Sequence, residues 1–323
     1  MASSENLTWQ LDDITMRGTV VRPEGDGPFP AVVMVAGSGP TDRDWCSPLL
    51  PGSNGSGKLF AEVLAEAGIA SIRYDKRATG PLEDIQRLVG TFSMQSHLDE
   101  LIAAVGVLAA RDFIDPNRIA GLGNSEGTLH LLHYATSDQP IGLIGLVLLA
   151  PPGRAVGEVV ISQLARQAAN VPGGEALMPM VRAAAERYTA GQPMDPDPSL
   201  PDSVKQLLAS FETPANLPLA RELWDEDATL SLPQVAVPML IMIGRKDQQV
   251  DVEADGQPLQ AAARDMDNVR FEFPADANHV FKQDTRSLAE IAAAPAEHYN
   301  QPGGRLDPDS VRMIVDWLQS LFG

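Results

Sequence analysis

The chain has 323 residues, 44% hydrophobic and 21% charged, with a formal net charge of −19. Acid spread along the chain without clustered lysine or arginine argues against a nucleic-acid or anionic-membrane partner, and no stretch approaches the roughly 18 apolar residues of a membrane span. The single cysteine, Cys46, forms no internal disulfide, and residues 1–10 lack the layout of a secretory leader, so the expected setting is cytoplasmic.

Residues 7–11 and 17–22 predict two short antiparallel strands, with Asp12-Asp13 near the turn. A proline- and glycine-rich loop over 23–30 leads into Ala31-Val32-Val33-Met34-Val35-Ala36. That apolar run is too short for a typical helix and suits a strand buried on both faces of a parallel sheet. Gly37-Ser38-Gly39-Pro40 ends it, and 41–57 reads as a long surface loop. A helix follows with Leu59, Phe60, Val63, Leu64 and Ala67 on one face and Gly68 as its stop, then a buried strand over 69–74. Residues 96–108 form a second amphipathic helix, 118–123 a strand, 128–135 a helix and 142–150 a further strand.

From 154 to 233 the pattern changes. Helical segments at 156–170, 175–189, 202–211 and 217–225 alternate with proline-rich breaks, and no strand is evident. The sheet pattern resumes with a strand at 237–244, a helix at 252–264, a strand at 269–273 and a closing helix at 308–322. Alternating strands and helices predict a doubly wound, mostly parallel α/β sheet made from residues 1–153 and 234–323, with 154–233 as a helical insertion.

Chemistry is read from Gly123-Asn124-Ser125-Glu126-Gly127, which lies between a strand and a helix. A sharp turn there lifts a serine hydroxyl clear of the backbone, and the two glycines remove side chains that would collide. Activating a serine takes a base and an acid that holds the base in one tautomer, in the chain order Ser, Asp or Glu, His. Asp247 follows one predicted strand and His279 the next, so all three lie at carboxyl ends of strands, where open α/β sheets bind ligands. Taken singly, Asp247 is a solvated turn residue and His279 a loop histidine; their joint placement selects the catalytic reading. Among the other histidines, His97 precedes Ser125, and His298 follows no strand. His130 and His133 form an i, i+3 pair with no third metal ligand at suitable spacing.

The backbone N–H of Glu126, following the nucleophile, and that of Ser38 in the early glycine turn are the candidate oxyanion donors, the alternative for the second being a plain turn. The Glu126 side chain is accounted for by its position at a helix N-terminus.

On these motifs the chain resembles the α/β-hydrolase superfamily, specifically the bacterial serine esterases with a helical cap. The matching residues are 123–127, Gly244-x-x-Asp247-x-x-Val250, Asn278-His279-x-Phe281, Gly37-Ser38-Gly39-Pro40 with Asp42-Arg43-Asp44, and Tyr74-Asp75-Lys76-Arg77. It departs from many relatives at Ala36, Asn124 and Ala78-Thr79-Gly80. The resemblance implies an acyl-enzyme on Ser125, a small-molecule ester substrate, and neither metal nor organic cofactor. Asp42, Arg43 and Asp44 would brace the oxyanion loop. A thioesterase or an aminopeptidase-like amidase uses the same triad, although six basic against eleven acidic residues in 154–233 give no general attraction for a CoA phosphate. A non-catalytic receptor is the alternative from another class. Leu177, Met178, Met180, Phe211, Leu223 and Trp224 are candidates to line an apolar acyl pocket or to pack the helices.

Overall fold

A computed structural model describes residues 2–48, 52–293, 300–301 and 303–323. The chain opens with a hairpin, β1 (Ser3–Leu11) and β2 (Ile14–Arg22), whose register pairs Leu11 with Ile14 around Asp12-Asp13. Asp12 has a φ of 54°, a left-handed conformation that Asp tolerates better than most residues. Both strands run longer than the sequence pattern indicated, because β1 is a largely exposed edge strand held by its ladder rather than by an apolar face.

Next come β3 (Phe29–Val35), α1 (Ser56–Glu66), β4 (Ala70–Tyr74), a short α2 (Leu82–Leu88) and α3 (Met94–Ala109). The Ser93 hydroxyl accepts from Ser96 N–H, and the Ser96 hydroxyl accepts from Ser93 N–H, a reciprocal cap that starts α3 before the predicted position. Then follow β5 (Ile114–Asn124), α4 (Glu126–Thr136) and β6 (Leu146–Leu149).

The helices α5 (Val156–Ala169), α6 (Met178–Thr189), α7 (Asp202–Ser210) and α8 (Leu219–Trp224) follow. The predicted helix over 175–189 is divided. A 3-10 turn at Gly174–Leu177 precedes α6, where Pro179 occupies the first turn and gives up no intrahelical bond. The chain closes with α9 (Ala228–Ser231), β7 (Met239–Met242), α10 (Gly256–Ala262), β8 (Val269–Glu272), α11 (Leu288–Ala293) and α12 (Pro308–Phe322).

The strands form one eight-stranded sheet in the order β1-β2-β4-β3-β5-β6-β7-β8. From β4 to β8 every pairing is parallel, and β1 and β2 are antiparallel at one edge. Helices cover both faces, so the central strands have no polar side; residues 31–35 of β3 are at most 1% exposed. The helices α5 to α8 share a separate apolar cluster, in which Trp224 meets Tyr188 and Phe211 edge-on at centroid distances of 5.0 and 5.4 Å. Ala228 and Leu232 already belong to the cluster beneath the sheet. Arg154, at the root of the helical segment, forks onto the fully buried Asp255 at 3.0 Å on each arm.

Candidate active site

Ser125 sits between β5 and α4 with φ 54° and ψ −122°, a strained conformation for a residue with a Cβ. Its N–H donates to the Leu149 carbonyl at 2.8 Å, and its carbonyl accepts from Thr128 N–H at 2.9 Å and the Thr128 hydroxyl at 2.6 Å. The two flanking glycines are required by crowding, not by positive φ. A Cβ on Gly123 would lie 2.6 Å from the Gly127 carbonyl oxygen, and one on Gly127 would lie 2.5 Å from the Val35 carbonyl oxygen. The turn is thus pressed against the end of β3, from which Gly37 also approaches; a Cβ there would come within 3.3 Å of the Ser125 Cβ.

Asp247 lies just past β7 and His279 just past β8. The structure joins them: His279 Nδ1 donates to Asp247 Oδ2 at 2.8 Å, both side chains being buried. The other carboxylate oxygen accepts from Gln249 N–H at 2.7 Å and Val250 N–H at 3.0 Å, so the carboxylate is oriented by the backbone of its own loop. That arrangement assigns the proton to Nδ1 and leaves Nε2 as the basic atom. Asn124 ties the histidine loop to the serine turn, its Nδ2 donating to the His279 carbonyl at 2.9 Å and the Leu149 carbonyl at 3.3 Å. Asn124, one of the departures from many relatives, therefore supplies a brace between two loops. His298 lies outside the described residues.

Ser38 is exposed beside Gly37, and its N–H has no protein acceptor among the described residues; Glu126 begins α4. The loop behind Ser38 is braced by the charged run that the sequence singled out. Arg43 pairs with Asp75 at 2.6 Å, Asp44 with Arg73 at 2.8 Å, and Asp42 Oδ1 accepts from the N–H groups of Asp44 and Cys46.

Sequence reasoning missed the cluster on the other side of the serine turn. The Glu126 side chain is not a solvated helix-end acid. It is buried against the Lys76 ammonium at 2.7 Å, and His130 Nε2 donates to the same oxygen at 3.1 Å. Burial favours the neutral acid, but Lys76 and His130 outweigh it and hold the Glu126 carboxyl well below its ordinary range. Burial pushes His130 down to about 4, the bond to Glu126 only partly offsetting it, so its imidazole is neutral near pH 7. With Nε2 carrying the proton, Nδ1 is left without a partner among the described residues. His97 lies against His130 with ring centroids 5.0 Å apart and planes tilted by 49°, and it contacts Glu100 at 3.3 Å; Glu100 also receives Arg77. His133 turns away to Glu226 at 3.0 Å, so it does not share a ligand set with His130.

Donor atoms of His97, Glu126 and His130 all lie within 4.8 Å of one another, the group among the described residues best able to converge on a cation. The Lys76 ammonium lies against the Glu126 member of that group. The visible sequence signal was Asp75-Lys76-Arg77 directly after a buried strand, a place where charges must find partners.

A cleft of about 410 Å³ opens beside this corner. Ser38 and Glu126 border it on one side, with Phe92, Phe211, Leu223 and Trp224 supplying apolar wall. Leu177, Met178 and Met180 pack within the helical cluster instead.

The sequence model of the alpha/beta hydrolase family matches residues 32–294. The chain belongs to the α/β hydrolase family. Within the family it is similar to esterase EstD of Thermotoga maritima, at 26% identity across 96% of this chain and 68% of the relative. Two hydrolase structures share the fold: proline iminopeptidase of Mycobacterium smegmatis (TM-score 0.59, 17% identity, 98% of this chain and 99% of that one) and an esterase of Pyrococcus furiosus (TM-score 0.57, 16% identity, 99% and 92%). Among the described residues of this hydrolase, no helix is long and apolar enough to cross a membrane.

Proposed function

We propose that the protein is a serine hydrolase that cleaves carboxylic esters of small molecules. The observation that carries the reading is the buried 2.8 Å bond from His279 Nδ1 to Asp247, tied to the strained Ser125 turn through Asn124. His279 Nε2 removes the Ser125 proton as Oγ attacks the acyl carbon, and Asp247 stabilises the imidazolium that forms. The N–H groups of Ser38 and Glu126 receive the oxyanion. The imidazolium then protonates the leaving alcohol, and water activated by His279 releases the acid from the acyl-enzyme. The name of the relative EstD favours an ester over an amide.

Residues 154–233 serve as a cap, and the 410 Å³ cleft beneath it takes the apolar part of the ester. Steady-state hydrolysis of p-nitrophenyl esters and labelling by a fluorophosphonate test the reading. Ser125→Ala should lose both, the fall in kcat being on the order of 10⁵–10⁶. Turnover retained by Ser125→Ala would exclude the acyl-enzyme.

A further inference from the structure

The Lys76 ammonium makes two short contacts, and only one of them is needed to neutralise a buried acid. It meets Glu126 Oε1 at 2.7 Å and also donates to the Gly37 carbonyl at 2.6 Å. The Gly37 carbonyl and the Ser38 N–H belong to the same planar trans peptide and so point in opposite directions. Anchoring the oxygen on one side therefore sets the direction of the N–H on the other. Glu126 supplies the second N–H proposed to receive the oxyanion, and its side chain holds the other end of the lysine.

We propose that Lys76 is a positioning residue that couples the two oxyanion donors, an inference that rests on the serine-hydrolase reading above. Its partners leave it little freedom: the Lys76 and Glu126 side chains are 3% and 4% exposed, and His130 Nε2 fixes the same carboxylate oxygen at 3.1 Å. The loop is secured from a second direction, because the Thr41 hydroxyl donates to the Gly37 carbonyl at 3.1 Å and the Lys76 N–H to the Thr41 carbonyl at 3.3 Å. Because the ammonium is paired with a carboxylate, its action on the oxyanion is orientation of a donor rather than net charge. A hydrogen bond to the carbonyl also polarises the peptide and strengthens its N–H as a donor. Such an arrangement serves the transition state more than the bound ester, whose carbonyl oxygen carries less charge.

The test is a double substitution, Lys76→Met with Glu126→Gln, which removes both charges and strands neither. After circular dichroism and thermal melting establish the fold, kcat and KM for a p-nitrophenyl ester are measured. In parallel, the rate of Ser125 phosphonylation by a fluorophosphonate is followed. The expected result is a kcat lowered by on the order of 10- to 100-fold with KM nearly unchanged, somewhat less than outright loss of an oxyanion donor. Phosphonylation should slow in parallel. Lys76→Arg, which keeps Glu126 neutralised but replaces a compact donor with a wider planar fork, should show a smaller loss of the same kind. A wild-type kcat in the folded variants, or a loss confined to KM, overturns the positioning role while wild-type labelling leaves the serine-hydrolase reading standing. Absence of labelling in the wild type overturns both.

Discussion

Two buried carboxylate–imidazole pairs flank the same serine turn, and they differ in what else the carboxylate touches. Asp247 is met by two backbone N–H groups and by His279 Nδ1. Glu126 is met by the Lys76 ammonium as well as by His130. A carboxylate without a cation can stabilise an imidazolium when one forms. Around His130, burial outweighs the bond to Glu126, the His97 and Lys76 charges act in the same direction as burial, and the imidazole stays neutral down to about pH 4. On the proposed mechanism, similar side chains around one turn would serve opposite tasks: one pair accepts a proton during turnover, and the other holds a loop still.

The sharpest way to break that contrast is Asp247→Asn, which keeps the shape of the first pair and removes its charge. The wrong tautomer of His279 is then favoured, and kcat for ester hydrolysis should fall by about 10⁴-fold without loss of fold. A kcat within tenfold of wild type would mean that the Asp247 pair has no more catalytic weight than its neighbour.

The second pair should declare itself in stability instead. The unfolded chain binds a proton on His130 near pH 6.5 and the folded chain only near 4, so between those values unfolding takes up a proton. The stability that rests on neutral His130 is thus complete above about pH 6.5 and declines as the pH falls toward 4, by about 3 kcal/mol at most. In His130→Gln, urea denaturation at stepped pH should show a shallower slope across that window. An unchanged slope would contradict the assignment.

The smallest effect is expected from Ala220→Phe, which leaves both pairs intact and adds bulk to the cleft wall. It should cut kcat/KM for long-chain esters by about tenfold or more and change acetyl ester turnover little. Equal loss across chain lengths would show that the acyl group does not lie there.

The order of strands and helices was legible because a parallel sheet covered on both faces writes itself as short continuous apolar runs, such as 31–36 and 239–243. Ser125, Asp247 and His279 were singled out because each lies a few residues beyond the end of a predicted strand. The short helices α2, α9 and α11 were not anticipated, since a helix of one or two turns carries little periodicity. Pairing among charges was equally hidden. Lys76 and Glu126 are fifty residues apart, and nothing local connects a lysine after one strand to a glutamate after another. Gly127 shows the same division: its place beside the serine was visible in the motif, whereas the Val35 carbonyl that excludes a Cβ comes from a different strand. By itself the sequence determined the periodicities, the turn residues and the reactive side chains at strand ends, all of them local properties of the chain. Only the tertiary structure decided which carboxylate faces a lysine and which faces an imidazole and backbone N–H groups, because electrostatic partnership depends on distance through space and on burial.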